Sequence, residues 1–151
     1  MDGHAHADEY AERLNRKGRE GRKGTPVYEE EIGALVVDSA IKVHSALGPG
    51  LLESAYRACL AHELEMRGLD VSQEKPLPIR YEGADISVGY RIDLLLNQKV
   101  IVKLKAVERL LPIHTAQVLS YLKLSGCKLG FLINFNVLHL KDGIKRVVNG
   151  L

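Results

Sequence analysis

In the run Val100-Ile101-Val102-Lys103-Leu104-Lys105-Ala106-Val107, a strand would place Val100, Val102, Leu104 and Ala106 on one face and Ile101, Lys103, Lys105 and Val107 on the other. Two lysines then share a face where apolar side chains are expected. The preceding run, Arg91-Ile92-Asp93-Leu94-Leu95-Leu96, is joined to it through Asn97-Gln98-Lys99. A three-residue loop sets Asp93 opposite Lys103, whereas a two-residue loop would send it to the other face. Such a cluster is either an ion pair at a sheet end or a place where an acid and an ammonium act on a ligand. Gln117 and Tyr121, spaced i and i+4, lie on one side of a helix. They could position a phosphate or a metal-bound water, or be an ordinary boundary pair. Glu53 and Tyr56 stand one turn apart just after Gly48-Pro49-Gly50. Glu53 could serve as a metal ligand or general base, or it is a first-turn glutamate stabilised by the helix dipole. His44, just ahead of that corner, reads as a hydrogen-bonded boundary histidine. Cys59 and Cys127 lack zinc-site spacing and are expected to be free, buried thiols. His4 and His6 form an H-x-H pair near the terminus that is expected to bind nothing specific.

Those residues need a scaffold, and the apolar periodicity supplies one. Ile32, Leu35, Val36, Ala40, Val43 and Leu47 recur at helical steps behind Glu29, Glu30 and Glu31, and Gly48-Pro49-Gly50 ends that helix. A second helix is expected from Leu51 to about Arg67, with Leu52, Cys59, Leu60 and Leu64 among its apolar positions and Gly68 closing it. The period then drops to two. A short edge stretch runs to Tyr81, Glu82-Gly83-Ala84-Asp85 makes a turn, and Ile86 to Leu96 and Lys99 to Val107 form a hairpin. Pro112 opens a third helix through Leu124, stopped at Gly126. Lys128 to Phe135 reads as an apolar strand, followed by short strands at Val137 to Leu140 and Ile144 to Val148. This order predicts an α+β fold, a mixed sheet flanked by helices with an N-terminal helical hairpin.

With 151 residues, 46% apolar and 26% charged, the chain is long enough for one domain with its own core. Residues 1–26 are polar and charged, with Leu14 the only large aliphatic after Met1, and are expected to form a mobile tail ahead of a domain at 27–151. No apolar run approaches a membrane span or a signal-peptide core, so no membrane partner is expected and the location is expected to be cytoplasmic. The net charge of +2 conceals an asymmetry: residues 1–26 carry six Lys/Arg against five Asp/Glu, residues 27–89 five against eleven, and residues 90–151 ten against three. The basic last third is compatible with nucleic-acid phosphates, and equally with an ordinary solvated surface.

Gly50, Glu53 and Tyr56 form G-x-x-E-x-x-Y, and the chain from about Glu31 to Val148 resembles the GxxExxY proteins, a branch of the PD-(D/E)XK nuclease-like superfamily. His44 before LGPGLLESAY, Asp93 in YRIDLLL, the strand KVIVKLKAVERL, QVLSYLKLSG and GFLINF carry the likeness in order. The resemblance implies a mixed sheet flanked by helices and a Mg2+-dependent or Mn2+-dependent phosphodiesterase site. It assigns Glu53 and Asp93 to the metal, Lys105 to the attacking water, and Gln117 and Tyr121 to completing the site. The position where the pattern has the Glu of E-x-K is Lys103. Replacing a carboxylate with an ammonium at the centre of a cation site introduces repulsion of about 4 kcal/mol per charge pair at ~4 Å and an effective dielectric of 20. The expected function is therefore a nuclease-fold protein with a degenerate metal site and residual nucleic-acid binding, DNA foremost. The alternatives are an active Mg2+-dependent DNA nuclease and a non-catalytic module binding a protein partner or a second copy of itself.

Overall fold

The computed structural model describes residues 28–151, so the expected tail and its His4/His6 pair lie outside the described residues. The chain forms α1 (Glu29–Leu47), α2 (Glu53–Met66), β1 (Val71–Pro76), β2 (Ile79–Tyr81), β3 (Ala84–Ile86), β4 (Arg91–Leu96), β5 (Val100–Lys105), α3 (Pro112–Ser125), β6 (Leu129–Asn134), a 3-10 turn (Leu140–Gly143) and β7 (Ile144–Val148). Five strands make one mixed sheet in the order β1-β4-β5-β6-β7, with β5 and β6 parallel and every other pair antiparallel. The expected α+β fold with a mixed central sheet is the fold observed. β2 and β3 form a separate two-stranded hairpin.

Helix ends follow local chemistry. The Glu31 carboxylate accepts the Tyr28 N–H at 3.1 Å, satisfying a donor that the helix leaves orphaned. At the end of α2, Gly68 takes φ 90°. The Gly68 and Leu69 N–H groups close on Glu65 O (3.0 Å) and Leu64 O (3.2 Å), the paired bonds of a Schellman turn. Pro112 starts α3 and Gly126, in the left-handed conformation, ends it.

The sheet is covered on both faces. α1 and α2 bury Leu35, Val36, Tyr56, Leu60 and Leu64 against Leu94, Val102, Leu104 and Phe131, while α3 buries Val118, Tyr121 and Leu122 against Leu95, Ile101 and Leu132. The alternation expected along β5 therefore sorts its residues to two different cores. β6 lies between both layers and is buried along its whole length. Two glycines permit the close approach: a Cβ on Gly33 of α1 would meet the Phe131 ring at 3.1 Å, and one on Gly130 would meet Val118 Cγ1 at 3.0 Å.

Several expectations need correction. Cys59 is exposed and only Cys127 is buried, because Cys59 falls on the solvent side of α2. Leu52 precedes α2 as its N-cap and is exposed rather than core. Ala84 and Asp85 belong to β3 and not to the turn, which closes through Glu82 and Gly83, both at positive φ. The strand expected from Ile86 to Leu96 is split, with Gly89 at φ 83° in the break and β4 starting only at Arg91. Val137 to Leu140 is not a strand: Leu140 starts a 3-10 turn, and a Cβ on Gly143 within that turn would meet Asn134 O at 2.3 Å.

Candidate functional site

The hairpin register decides the site. Leu96 pairs with Val100, Leu95 with Ile101 and Leu94 with Val102, so Asn97-Gln98-Lys99 is a three-residue connection. Asn97 and Gln98 adopt φ of 51° and 57°, and the Lys99 N–H closes the turn on Leu96 O at 2.9 Å. Continuing that register sets Asp93 opposite Lys103, and the Lys103 ammonium stands 3.6 Å from Asp93 Oδ1.

Beyond Leu94 and Val102 the β4–β5 ladder stops, while β4 continues alongside β1 to Arg91. On the other side of Asp93 the ladder is disturbed too: Gln73 pairs with Leu94 and Lys75 with Ile92, but Glu74 between them takes φ 50°. The parting of β4 from β5 leaves donors on β5 without a strand partner. Two carboxylates take them. Asp93 Oδ2 accepts the Leu104 N–H at 2.8 Å, and Glu53 Oε2, from the first turn of α2, accepts the Ala106 N–H at 3.2 Å. Strand N–H groups two residues apart point the same way, so Asp93 and Glu53 succeed one another along one strand edge. The structure thus brings Glu53, Asp93, Lys103 and Lys105 to one end of β5.

On the α3 face, which Lys103 shares, Tyr121 contributes its ring, with the Lys103 ammonium 5.8 Å from its centre and the Tyr90 ring at 6.0 Å. Burial raises the Tyr121 phenol above its ordinary value, and the Asp93 charge and Tyr90 add to the shift. The phenol therefore stays protonated across the neutral range. Gln117 is half-buried one turn before it and makes no hydrogen bond to another described residue. Lys105 is likewise half-buried and has no ion-pair partner among the described residues.

The other motif residues build the corner that delivers Glu53. The Tyr56 hydroxyl donates to Gly48 O at 2.5 Å and accepts the Leu51 N–H at 3.1 Å, locking the Gly48-Pro49-Gly50 bend. Gly50 takes φ 102°, a conformation that L side chains rarely adopt. Tyr56 stacks on Phe135 with ring centres 4.5 Å apart, and Phe135 lies 6.3 Å from His44. The buried His44 donates from Nε2 to Val137 O at 2.7 Å.

One residue escaped the reading of the sequence. The buried Asn134 accepts the Val107 N–H at 3.1 Å and donates back to Val107 O at 2.9 Å, tying down the chain just beyond Ala106. Its signal was available, as the only hydrogen-bonding side chain in the strand LGFLIN. No group of three or more His, Cys, Asp or Glu side chains is arranged to hold a metal ion among the described residues.

These elements can be set beside known proteins. No curated protein and no solved structure is found to match the chain. The family model for the PD-(D/E)XK nuclease superfamily matches residues 30–147, from the first turn of α1 to the penultimate residue of β7, and so includes every residue of the β5 cluster. With the mixed five-stranded sheet, the helices on both faces and the match over most of its length, the chain belongs to the PD-(D/E)XK nuclease superfamily.

Proposed function

We propose that the chain is a nuclease-fold domain of the GxxExxY branch, spanning 27–151, that binds nucleic acid, DNA foremost, and has lost or weakened metal-dependent cleavage. The observation that carries this reading is the Lys103 ammonium 3.6 Å from Asp93 Oδ1, both side chains 17% exposed. Mg2+ demands a near-octahedral set of oxygens and keeps it by electrostatic attraction. Here Asp93 Oδ1 faces a cation, Asp93 Oδ2 and Glu53 Oε2 hold strand N–H groups, and the third carboxylate of the superfamily pattern is the lysine itself. That donor set does not fit a divalent cation. A fixed ammonium among carboxylates instead neutralises the cluster from within, and Lys105, unpaired among the described residues, is left to meet a phosphate. The ten Lys/Arg against three Asp/Glu after residue 89 support the same partner, because cations that release condensed counterions supply sequence-independent affinity.

Two titrations test this. Calorimetry with Mg2+ and with Mn2+ is expected to show no saturable binding, and labelled DNA is expected to bind weakly, steeply less so as salt rises, and without sequence preference. Tight Mg2+ binding with DNA cleavage would replace this reading with an active nuclease. Absence of DNA binding at low salt would leave a protein-interaction module.

A further inference from the structure

A cavity of about 280 Å3 opens between the C-terminal half of α1 and the segment after β6, with Ile41, His44 and Ser45 on one side and Leu138, His139 and Lys141 on the other. No carboxylate of the described residues lines it, and Lys141 forms no ion pair with any of them. His44 is fixed there by its bond to Val137 O. A concave surface with an ammonium, two imidazoles and a hydroxyl, and no acid among the described residues, has the chemistry of an anion site. Leu138, 82% exposed, and Ile41 add apolar surface beside it.

The cavity lies at the same strand ends as the β5 cluster, on the α1 face of the sheet, whereas Lys103 and Lys105 leave on the α3 face. His44 lies against Phe135, Phe135 stacks on Tyr56, and the Phe135 N–H donates to Lys105 O at 3.0 Å. Both features therefore sit at the carboxyl ends of the parallel strands β5 and β6, the edge at which open α/β sheets bind ligands. Two cationic positions along one edge suit a polyanion, since a nucleic-acid strand repeats its phosphate every ~3.4 Å of helix axis. A single phosphate would occupy only one of them.

We infer that this cavity is a second phosphate subsite, taking a backbone phosphate of the same nucleic-acid strand that passes Lys105, an inference that rests on the nucleic-acid reading above. Lys141 supplies the charge, Ser45 and His139 the hydrogen bonds, and Leu138 with Ile41 the surface for the adjoining sugar or base.

The test compares two charge reversals in the full chain. Lys141→Glu alters the cavity. Lys123→Glu alters the last turn of α3, near Cys127, whose Sγ meets Gln98 O at the opposite edge of the sheet. Fluorescence anisotropy with a labelled 12-nucleotide strand is read across a salt series. Lys141→Glu is expected to weaken binding about 10-fold and to lower the salt slope by about one, Lys141→Arg to leave both near wild type, and Lys123→Glu to weaken binding less than about 2-fold. Equal effects of Lys141→Glu and Lys123→Glu would overturn the subsite while leaving the nucleic-acid reading intact. If adenosine 5′-monophosphate shifts the amide resonances of residues 138–141 at concentrations as low as the strand does, the cavity serves a free nucleotide and the strand proposal fails. If the wild-type chain binds no strand at low salt, the nucleic-acid reading falls first and this inference with it.

Discussion

Between α1 and α2, Arg67 Nε donates to Glu63 Oε2 at 2.9 Å, Lys42 reaches the same oxygen at 3.1 Å, and the Arg67 side chain is 3% exposed. At the end of β5, Lys103 stands a longer 3.6 Å from Asp93, with each side chain 17% exposed. The first cluster is closed around Arg67, with Lys42, 38% exposed, at its rim. Burial alone would raise the Glu63 carboxyl, yet the hydrogen bonds and charges of Lys42 and Arg67 hold it below the ordinary value. Arg67 Nη1 and Nη2 are buried without a hydrogen-bond partner, and removing Glu63 would leave the guanidinium only a 4.0 Å ion pair from Nη1 to Asp38. The second cluster is held open by irregular backbone, with a ladder that ends and a neighbouring residue at positive φ. A tight buried ion pair between helices serves packing, whereas charges gathered where strands part are available to a ligand. The difference is in backbone geometry more than in residue type.

The comparison breaks first if Glu63 proves dispensable. Glu63→Ala leaves Arg67 only its 4.0 Å ion pair to Asp38 and should cost about 3 kcal/mol in urea unfolding, with unchanged DNA affinity in the folded fraction. A loss under 1 kcal/mol would show that water reaches Arg67 and that the cluster is not closed. Lys103→Glu is the counterpart in the open cluster. It puts three carboxylates beside Lys105 and should cost about 2 kcal/mol, half the ~4 kcal/mol of a like-charge pair at ~4 Å and an effective dielectric of 20, because both side chains keep some contact with solvent. Adding Mg2+ or Mn2+ at 100 times its dissociation constant should return about 2.7 kcal/mol, since an ion bound only by the native state stabilises it by mass action. Absence of metal-dependent recovery would mean that Lys103 does not stand in for a metal-binding carboxylate.

Acid should separate the two clusters further. The Glu63 carboxyl is lowered in the folded state, so as pH falls through 4.5 the unfolded chain takes up its proton first and stability is lost down through the folded value. Glu63→Gln removes that part of the acid limb, and an unchanged slope between pH 5 and 3 would show that Glu63 contributes none of it. The smallest effect is expected outside both clusters. They are built from residues 28–151, so deleting residues 1–26 should move the thermal midpoint by under about 2 °C. A shift of several degrees in calorimetry would place part of the packing in that segment.

Much of the site was legible because short-range rules govern it. Asp93, Lys103 and the loop between them narrowed the register to two alternatives, and the strand pairing is the three-residue one. Glu53, 40 residues before Asp93 in the chain, had no local signal tying it to β5. Its carboxylate reaches Ala106 only because α2 packs on the sheet face that ends there. Cys59 went wrong for the opposite reason. Periodicity gave its helix, but the half of that helix that meets the core depends on how α1 and α2 lie on the sheet.

Residue order and spacing by themselves determined the three helices and their Gly and Pro punctuation, and narrowed the β4–β5 register to two, because each follows from side-chain type and from contacts within a few residues. Only the tertiary structure decided that β4 leaves β5 at Leu94, that Asp93 and Glu53 cap the donors thus exposed, and that His44, Phe135 and Tyr56 join the Lys141 cavity to the same sheet edge. The physical reason is that backbone donors must be satisfied wherever strands part. Where they part is settled by how the helices pack on both faces of the sheet, a sum over distant contacts that no local window of sequence contains.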